Sequence, residues 1–467
     1  EGHKTELHAP PRQGIPVEHV VMPPPAAGGL AQVTSWLLGA VSSLVPGAEQ
    51  HQRAEHEPPR AGRIRAVSWQ SQRHALPTSD TSASANGVKG RQSNLCAVAL
   101  EDSSVLLYDL CLHEWSPHRL VNTHQRDVRT LAWQPHSTSI LVVGCAGGVC
   151  VWRLSYGRTT SELTGAHLVR RIDLALVQSL GWHPLGDWLA AASAGHDAVW
   201  LCEPWRRSDI AEQHTASGKA FGLHGYKASA SDSWPATTSL LRMRGGGISL
   251  VAPSKCGALL FASGTSGALR VWETRAWTWQ TWRRFCLPCS TATWGGPPPL
   301  HGDAPRLLLF AMANQPVLHA IRFTHVLAAD NSPRFSGEYI GCFDLGLLAA
   351  SGSLHTNFPL GQPQPTSPTS TKKARRSLAI MSLAWQVHST LDGGRLAVGC
   401  SINGEESIVL LFSAAVIPSL QLRPVGNVQG HSQGRPLTSL TFASGLPYGG
   451  LLSCAWNDGR ITLLPLY

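Results

Sequence analysis

The sequence predicts an all-β chain whose main domain closes into a ring of seven stacked sheets, a seven-bladed β-propeller. Three observations predict it. First, one pattern recurs seven times along 64–467: an apolar strand ending in Trp or a substitute, a second short apolar strand ending in small residues, and a third ending in an aromatic or apolar residue. Second, these strands are rich in Val, Leu, Ile and Trp and read as nearly continuous apolar runs, as strands covered on both faces do. Third, one such sheet cannot bury both of its faces alone, whereas repeats stacked in a closed ring bury them and leave no open end.

The repeats follow in order. Blade 1 is read at 64–69, 94–99 and 104–109, blade 2 at 128–133, 140–145 and 148–152, and blade 3 at 177–182, 188–193 and 197–202. Blade 4 is read at 248–252, 259–263 and 268–273, blade 5 at 291–294, 306–310 and 317–321, blade 6 at 381–385, 395–399 and 407–412, and blade 7 at 437–442, 450–454 and 460–464. Trp69, Trp133, Trp182, Trp294, Trp385 and Phe442 close the first strands, and Trp152 and Trp272 close third strands. These eight residues are the expected core of the blades. Ala252 reads as the substitute for Trp in blade 4, and Cys202 as the substitute for the aromatic residue in blade 3. Blade 7 lacks a fourth strand in the C-terminal sequence. The β-branched segment 15–21 is the candidate to supply it, and Pro16 confines that segment to an edge.

Residues 1–63 form an N-terminal extension. Within it Leu30, Val33, Leu37, Val41 and Leu44 recur at helical spacing, and Pro46-Gly47 ends the pattern. The spacing predicts a short helix over 30–45 with no charged residue. It would bind a partner groove or a membrane surface, or pack on the propeller's own side. Residues 74–93, 203–245 and 323–377 read as loop insertions rich in Ser, Thr, Gly and Pro, and Lys372-Lys-Ala-Arg-Arg376 as a solvated basic flank, with a nuclear import signal or an anion contact as the alternatives.

With 43% hydrophobic and 14% charged residues the chain is globular rather than disordered. Its net charge of +9 favours acidic partners, but no dense Lys/Arg stripe with interleaved aromatics suggests direct nucleic-acid binding. Eleven cysteines, several within apolar runs such as 140–145 and 396–400, read as small buried hydrophobes of a reducing, intracellular setting. No apolar run reaches the roughly 18 residues of a membrane span.

The sequence supplies no catalytic, cofactor-binding or metal-binding set. Cys286-Leu-Pro-Cys289 has metal or redox spacing but no second ligand pair and no βαβ setting, so it reads as two free thiols. Among 21 histidines there is no His-Glu-x-x-His, and neither a Gly-x-Ser-x-Gly elbow nor a phosphate-binding loop occurs. Arg244-Gly-Gly-Gly247 leads into a strand rather than a helix and reads as a tight turn.

The repeats are degenerate: Tyr108-Asp109 and Trp272-Glu273 come closest to a Trp-Asp ending, and Gly430-His431 is the one Gly-His in the expected place. Specific strings carry a resemblance. Arg242-Met-Arg-Gly-Gly-Gly-Ile-Ser-Leu250 with Ala268-Leu-Arg-Val-Trp-Glu-Thr-Arg-Ala-Trp-Thr-Trp-Gln-Thr-Trp282 resembles the fourth blade of the Aladin family of WD-repeat nucleoporins. The ending from Leu451 to Tyr467 is similar to that family's last blade, Arg129-Thr-Leu-Ala-Trp-Gln-Pro135 to its second, and Ala31-Gln-Val-Thr-Ser-Trp36 to a motif before its first. The resemblance spans about 30–467, interrupted by the insertions. It implies a WD-repeat β-propeller that serves as a non-catalytic scaffold of the nuclear pore complex at the nuclear envelope. It also implies docking to other nucleoporins, among them a multi-pass transmembrane nucleoporin, indirect membrane association, and support of nucleocytoplasmic and protein transport. A general WD-repeat adaptor of another intracellular assembly is the alternative. The resemblance carries over no residue of a partner site.

Overall fold

The computed structural model describes residues 17–19, 62–70, 94–110, 114–156, 163–203, 238–243, 245–283, 285–296, 306–327, 333–346, 378–387, 393–404, 406–416, 420–429, 436–443 and 450–466. These form seven four-stranded sheets, the blades of a β-propeller. The innermost strands are Ile64–Trp69, Thr130–Trp133, Val177–Trp182, Ile248–Pro253, Cys289–Gly295, Leu378–Val387 and Leu437–Phe442. From each, the chain steps outward through antiparallel neighbours, so sequence order is also radial order. The expected helix with Leu30, Val33, Leu37, Val41 and Leu44 lies outside the described residues, as do 74–93 and Lys372–Arg376. Cys202 is buried at the end of blade 3's third strand, Ala198–Cys202.

Two expected loop insertions are corrected by the structure. The stretch 203–245 contains Thr238–Arg242, the outer strand of blade 3, paired with Ala198–Cys202. The stretch 323–377 contains the end of Val317–Leu327 and the whole of Pro333–Asp344, the third and outer strands of blade 5. The physical reason is position. An outer strand has solvent along one edge and thinner cover, so it lacks the unbroken apolar run that marks inner strands. Blade 7 takes its outer strand from the N-terminal side: Val17–His19 pairs with Ile461, Thr462 and Leu463. That pairing is parallel, whereas every other strand pair in the ring is antiparallel.

The hydrophobic core is divided among the blade interfaces. Seven clusters of buried side chains occur, and each joins two neighbouring blades. Trp133 and Trp152 of blade 2, for instance, pack with Ala97 and Leu107 of blade 1, while Trp69 of blade 1 packs with Ala455 and Leu463 of blade 7. No blade has a core of its own, which is why a single repeat cannot stand alone.

Six of the seven innermost strands carry a register shift at one equivalent place: Ile64/Ala66, Val177/Ser179, Ile248/Leu250, Cys289/Thr291, Ile380/Ser382 and Leu437/Ser439. Counting five residues on from the first residue of each pair gives Trp69, Trp182, Pro253, Trp294, Trp385 and Phe442. Pro253, not Ala252, therefore holds the Trp position of blade 4. The strand of blade 4 ends in a proline, so no aromatic residue in the sequence marks its last position. Pro253 fills the place a Trp would fill, and a Cβ on Gly181 of blade 3 would collide with its ring.

Candidate functional site

The expected core residues are placed as follows. Trp69, Trp133, Trp182, Trp294, Trp385, Trp152 and Trp272 are all buried, whereas Phe442 is only half-buried. The innermost-strand tryptophans do more than fill space. Trp133 donates its indole N–H to the carbonyl of Ser68 in blade 1 at 3.0 Å, Trp182 to Ala132 in blade 2 at 3.3 Å, and Trp294 to Ala252 in blade 4 at 2.8 Å. Each acceptor is the residue just before the Trp position of the preceding blade. The repeated geometry shows that the innermost strands run in one direction around the ring. One channel mouth is thus lined by their beginnings and the other by their ends.

A second set of ties uses hydroxyls two residues after the bulge start. Ser179 accepts from the backbone N–H of Val251, Thr291 from that of Leu383 and Ser439 from that of Val67, each in the next blade. On the third strand of blade 2, buried Trp152 donates to Gln125 at 3.0 Å, and Gln125 donates in turn to the carbonyls of Ser103 and Leu120. Motif reading missed these ties, because all but the Gln125–Leu120 bond join partners more than twenty residues apart.

The mouth at the strand beginnings carries the bulged residues Arg65, Gln178, Ser249, Ser290, Met381 and Thr438, with Arg129 nearby from blade 2. Its cations are largely matched. Arg65 pairs with Glu101 at 3.2 Å, Arg129 with Asp127 at 2.7 Å, and Arg171 with Asp173 at 2.6 Å. Arg129 also donates to Gln178 across the blade boundary. Met381, 47% exposed, is the apolar member of this rim.

The opposite mouth is different. Lys255, in the turn after blade 4's innermost strand, reaches past blade 5 and donates to the carbonyl of Trp385 in blade 6 at 2.9 Å. The residue as a whole stays accessible, while protein mass around its ammonium lowers the pKa from 10.5 to about 8. Arg306 opens blade 5's second strand and is only 8% exposed. Arg395 of blade 6 donates to Gln386 and to the carbonyl of Leu466, and burial lowers its pKa.

On the rim of blade 4, the string that carried the strongest resemblance forms the outer strand Trp279–Trp282 and the turn before it. Trp279 is 60% exposed, and the Arg270 guanidinium lies 5.5 Å from the ring centroids of both Trp272 and Trp279. Trp277 adopts a left-handed backbone, with φ of 54°, and its ring meets Trp188 of blade 3 at 6.0 Å. The side-chain amide of Gln280 bonds both ways to the next blade, donating to Phe335 and accepting from Gly337. An exposed Trp backed by an arginine is the kind of anchor that protein contacts use.

Cys286 is exposed and Cys289 buried; neither is in a disulfide. Burial pushes the Cys289 thiol up to about 12, so it is a poor metal ligand or nucleophile. Among the described residues no group of three or more His, Cys, Asp or Glu is arranged to hold a metal ion. The turn into blade 4 is as tight as its glycines suggest. Gly245 and Gly246 have φ of 113° and 104°, and a Cβ on Gly247 would strike the carbonyl of Ala194.

No protein-family model matches the chain. Among solved structures, the β-propeller domain of Myceliophteria thermophila Cps50 (Swd1) superposes with a TM-score of 0.51 at 14% identity, covering 87% of this chain and 96% of that one. That likeness shows the propeller fold. Among curated proteins, the chain is similar to Aladin of Arabidopsis thaliana, 23% identical over 364 residues that cover 76% of this chain and 69% of that protein. The resemblance first visible in a few strings is thus one of most of the chain, a β-propeller similar to Aladin.

Proposed function

We propose that this chain is a non-catalytic WD-repeat scaffold of the nuclear pore complex, placed at the nuclear envelope by docking to other nucleoporins, among them a multi-pass transmembrane one. The observation that carries the reading is the similarity to Aladin over three quarters of the chain, joined to a complete seven-bladed ring. The structure supplies what a scaffold needs: blades tied to their neighbours, and exposed side chains such as Trp279 at the rim. Among the described residues no helix is long and apolar enough to cross a membrane. In this reading protein contacts hold the chain at the envelope and support nucleocytoplasmic transport.

A fluorescent fusion expressed at native level tests it. A punctate nuclear rim is the expected result. Diffuse cytosolic signal would overturn it in favour of a general WD-repeat adaptor. Flotation with liposomes separates the modes of attachment: the chain should float only alongside a transmembrane partner, and robust flotation alone would defeat the indirect mode.

A further inference from the structure

Three cations gather at the channel mouth formed by the ends of the innermost strands, where the carboxylate of Asp187, on blade 3, lies beside His183. Lys255 of blade 4, Arg306 of blade 5 and Arg395 of blade 6 stand on three consecutive blades at the same end, and none forms an ion pair among the described residues. Gly295 pairs with Leu307, which sets Arg306 opposite Gly296 at the end of the ring where Lys255 reaches Trp385. Arg306 is the sharpest anomaly. It is more than nine-tenths buried, yet its Nε and Nη1 have no hydrogen-bond acceptor. A buried donor left unsatisfied is costly, and more so when charged. The indole tie also fails at this place. Trp133, Trp182 and Trp294 each find a carbonyl of the preceding blade, whereas the buried N–H of Trp385 finds none. The buried donors of Arg306 and Trp385 thus stand without acceptors at this end of the ring.

We propose that this mouth is an anion-binding surface, formed by Lys255, Arg306 and Arg395, that takes an acidic peptide segment of a protein partner. It rests on the scaffold reading and names the chemistry of one docking partner. The cations are spread over three blades. Lys255 is anchored on blade 6 and Arg395 on blade 7, so they do not converge on one small anion. A linear chain with several carboxylates matches that spacing, and a guanidinium fork accepts a carboxylate with two parallel bonds. Among the described residues, the exposed large hydrophobic side chains include no aromatic at this mouth on which nucleobases would stack.

The test is fluorescence anisotropy with a labelled hexaglutamate peptide and the full chain. The wild type should bind it, and Arg306→Gln and Lys255→Gln should each weaken binding about tenfold, the size of one charge-assisted contact. Arg65→Gln with Arg129→Gln, on the opposite mouth, should leave binding unchanged. Circular dichroism melts of each variant separate loss of the site from loss of the fold. The proposal is overturned if the peptide does not bind, if the opposite-mouth pair weakens binding as much, or if a six-residue single-stranded oligonucleotide or pyrophosphate binds more tightly at the same residues. A failure here with an intact nuclear rim would sink this site and leave the scaffold reading standing.

Discussion

The indole N–H of Trp69 donates to the hydroxyl of Ser453 at 2.9 Å, and that hydroxyl donates onward to the carbonyl of Thr441 at 3.2 Å. Thr441 stands just before Phe442, the position whose carbonyl accepts the neighbour's indole directly at other interfaces. The pair therefore repeats the inter-blade tie through one intervening hydroxyl, at the seam where blade 1 meets blade 7. Ser453→Ala should leave a buried indole N–H without an acceptor and cost about 1–3 kcal/mol. Trp69→Phe should cost a similar amount, and the double variant little more than either single one. Urea melts of the four proteins read the coupling, and strictly additive losses would show that the tie contributes nothing.

Trp133 ties blade 2 to blade 1 and is part of the cluster between them. Trp133→Ala should cost about 3–5 kcal/mol, combining lost burial with an open cavity. A thermal melt unchanged by that substitution would contradict the interface described for it.

Two glycines make a matched comparison. A Cβ at Gly181 would press on the Pro253 ring, while at Gly426, in the outer strand of blade 6, it would meet nothing within 4 Å. Gly181→Ala should lower the melting temperature clearly, because both partners are backbone or ring and cannot move aside. Gly426→Ala should stay within about 0.5 kcal/mol of the wild type, as open surface sites do.

The seam strand gives a further prediction. Val17–His19 holds blade 7 through only three parallel residue pairs. Deleting 15–21 should bare the edge of Ile461–Leu466, lower the melting temperature and promote concentration-dependent association. Light scattering at two protein concentrations reads the association; a deletion that leaves both measurements unchanged would remove the seam's role in closure.

Cysteine chemistry checks the burial pattern. Cys96, Cys202, Cys289, Cys400 and Cys454 are buried, and for the last four burial pushes the thiol up to about 12. At pH 8 these four stay protonated in the folded protein. Exposed Cys286 and Cys342 should react first with iodoacetamide, by peptide mass spectrometry under native conditions. Equal labelling of Cys289 and Cys286 would show that blade 5's inner strand is open to solvent.

Local sequence determined the count and order of the blades. Inner strands are apolar on both faces, and such runs are visible one strand at a time, as in 140–145 or 307–311. The Trp-ended strands and the Gly245–Gly247 turn were legible for the same reason, since each depends on residues next to one another. Outer strands were not. Thr238–Arg242 and Pro333–Asp344 lie in stretches that read as loops, because an edge strand has no two-faced burial to mark it. Pro253 carries no aromatic ring to mark the end of its strand, so its equivalence to the Trp positions shows only in the strand pairing. The indole ties, the Gln280 bridge and the unmatched Arg306 belong to the tertiary structure alone. Their partners meet only when the ring closes, and no periodicity within a single blade records which carbonyl the next blade will present.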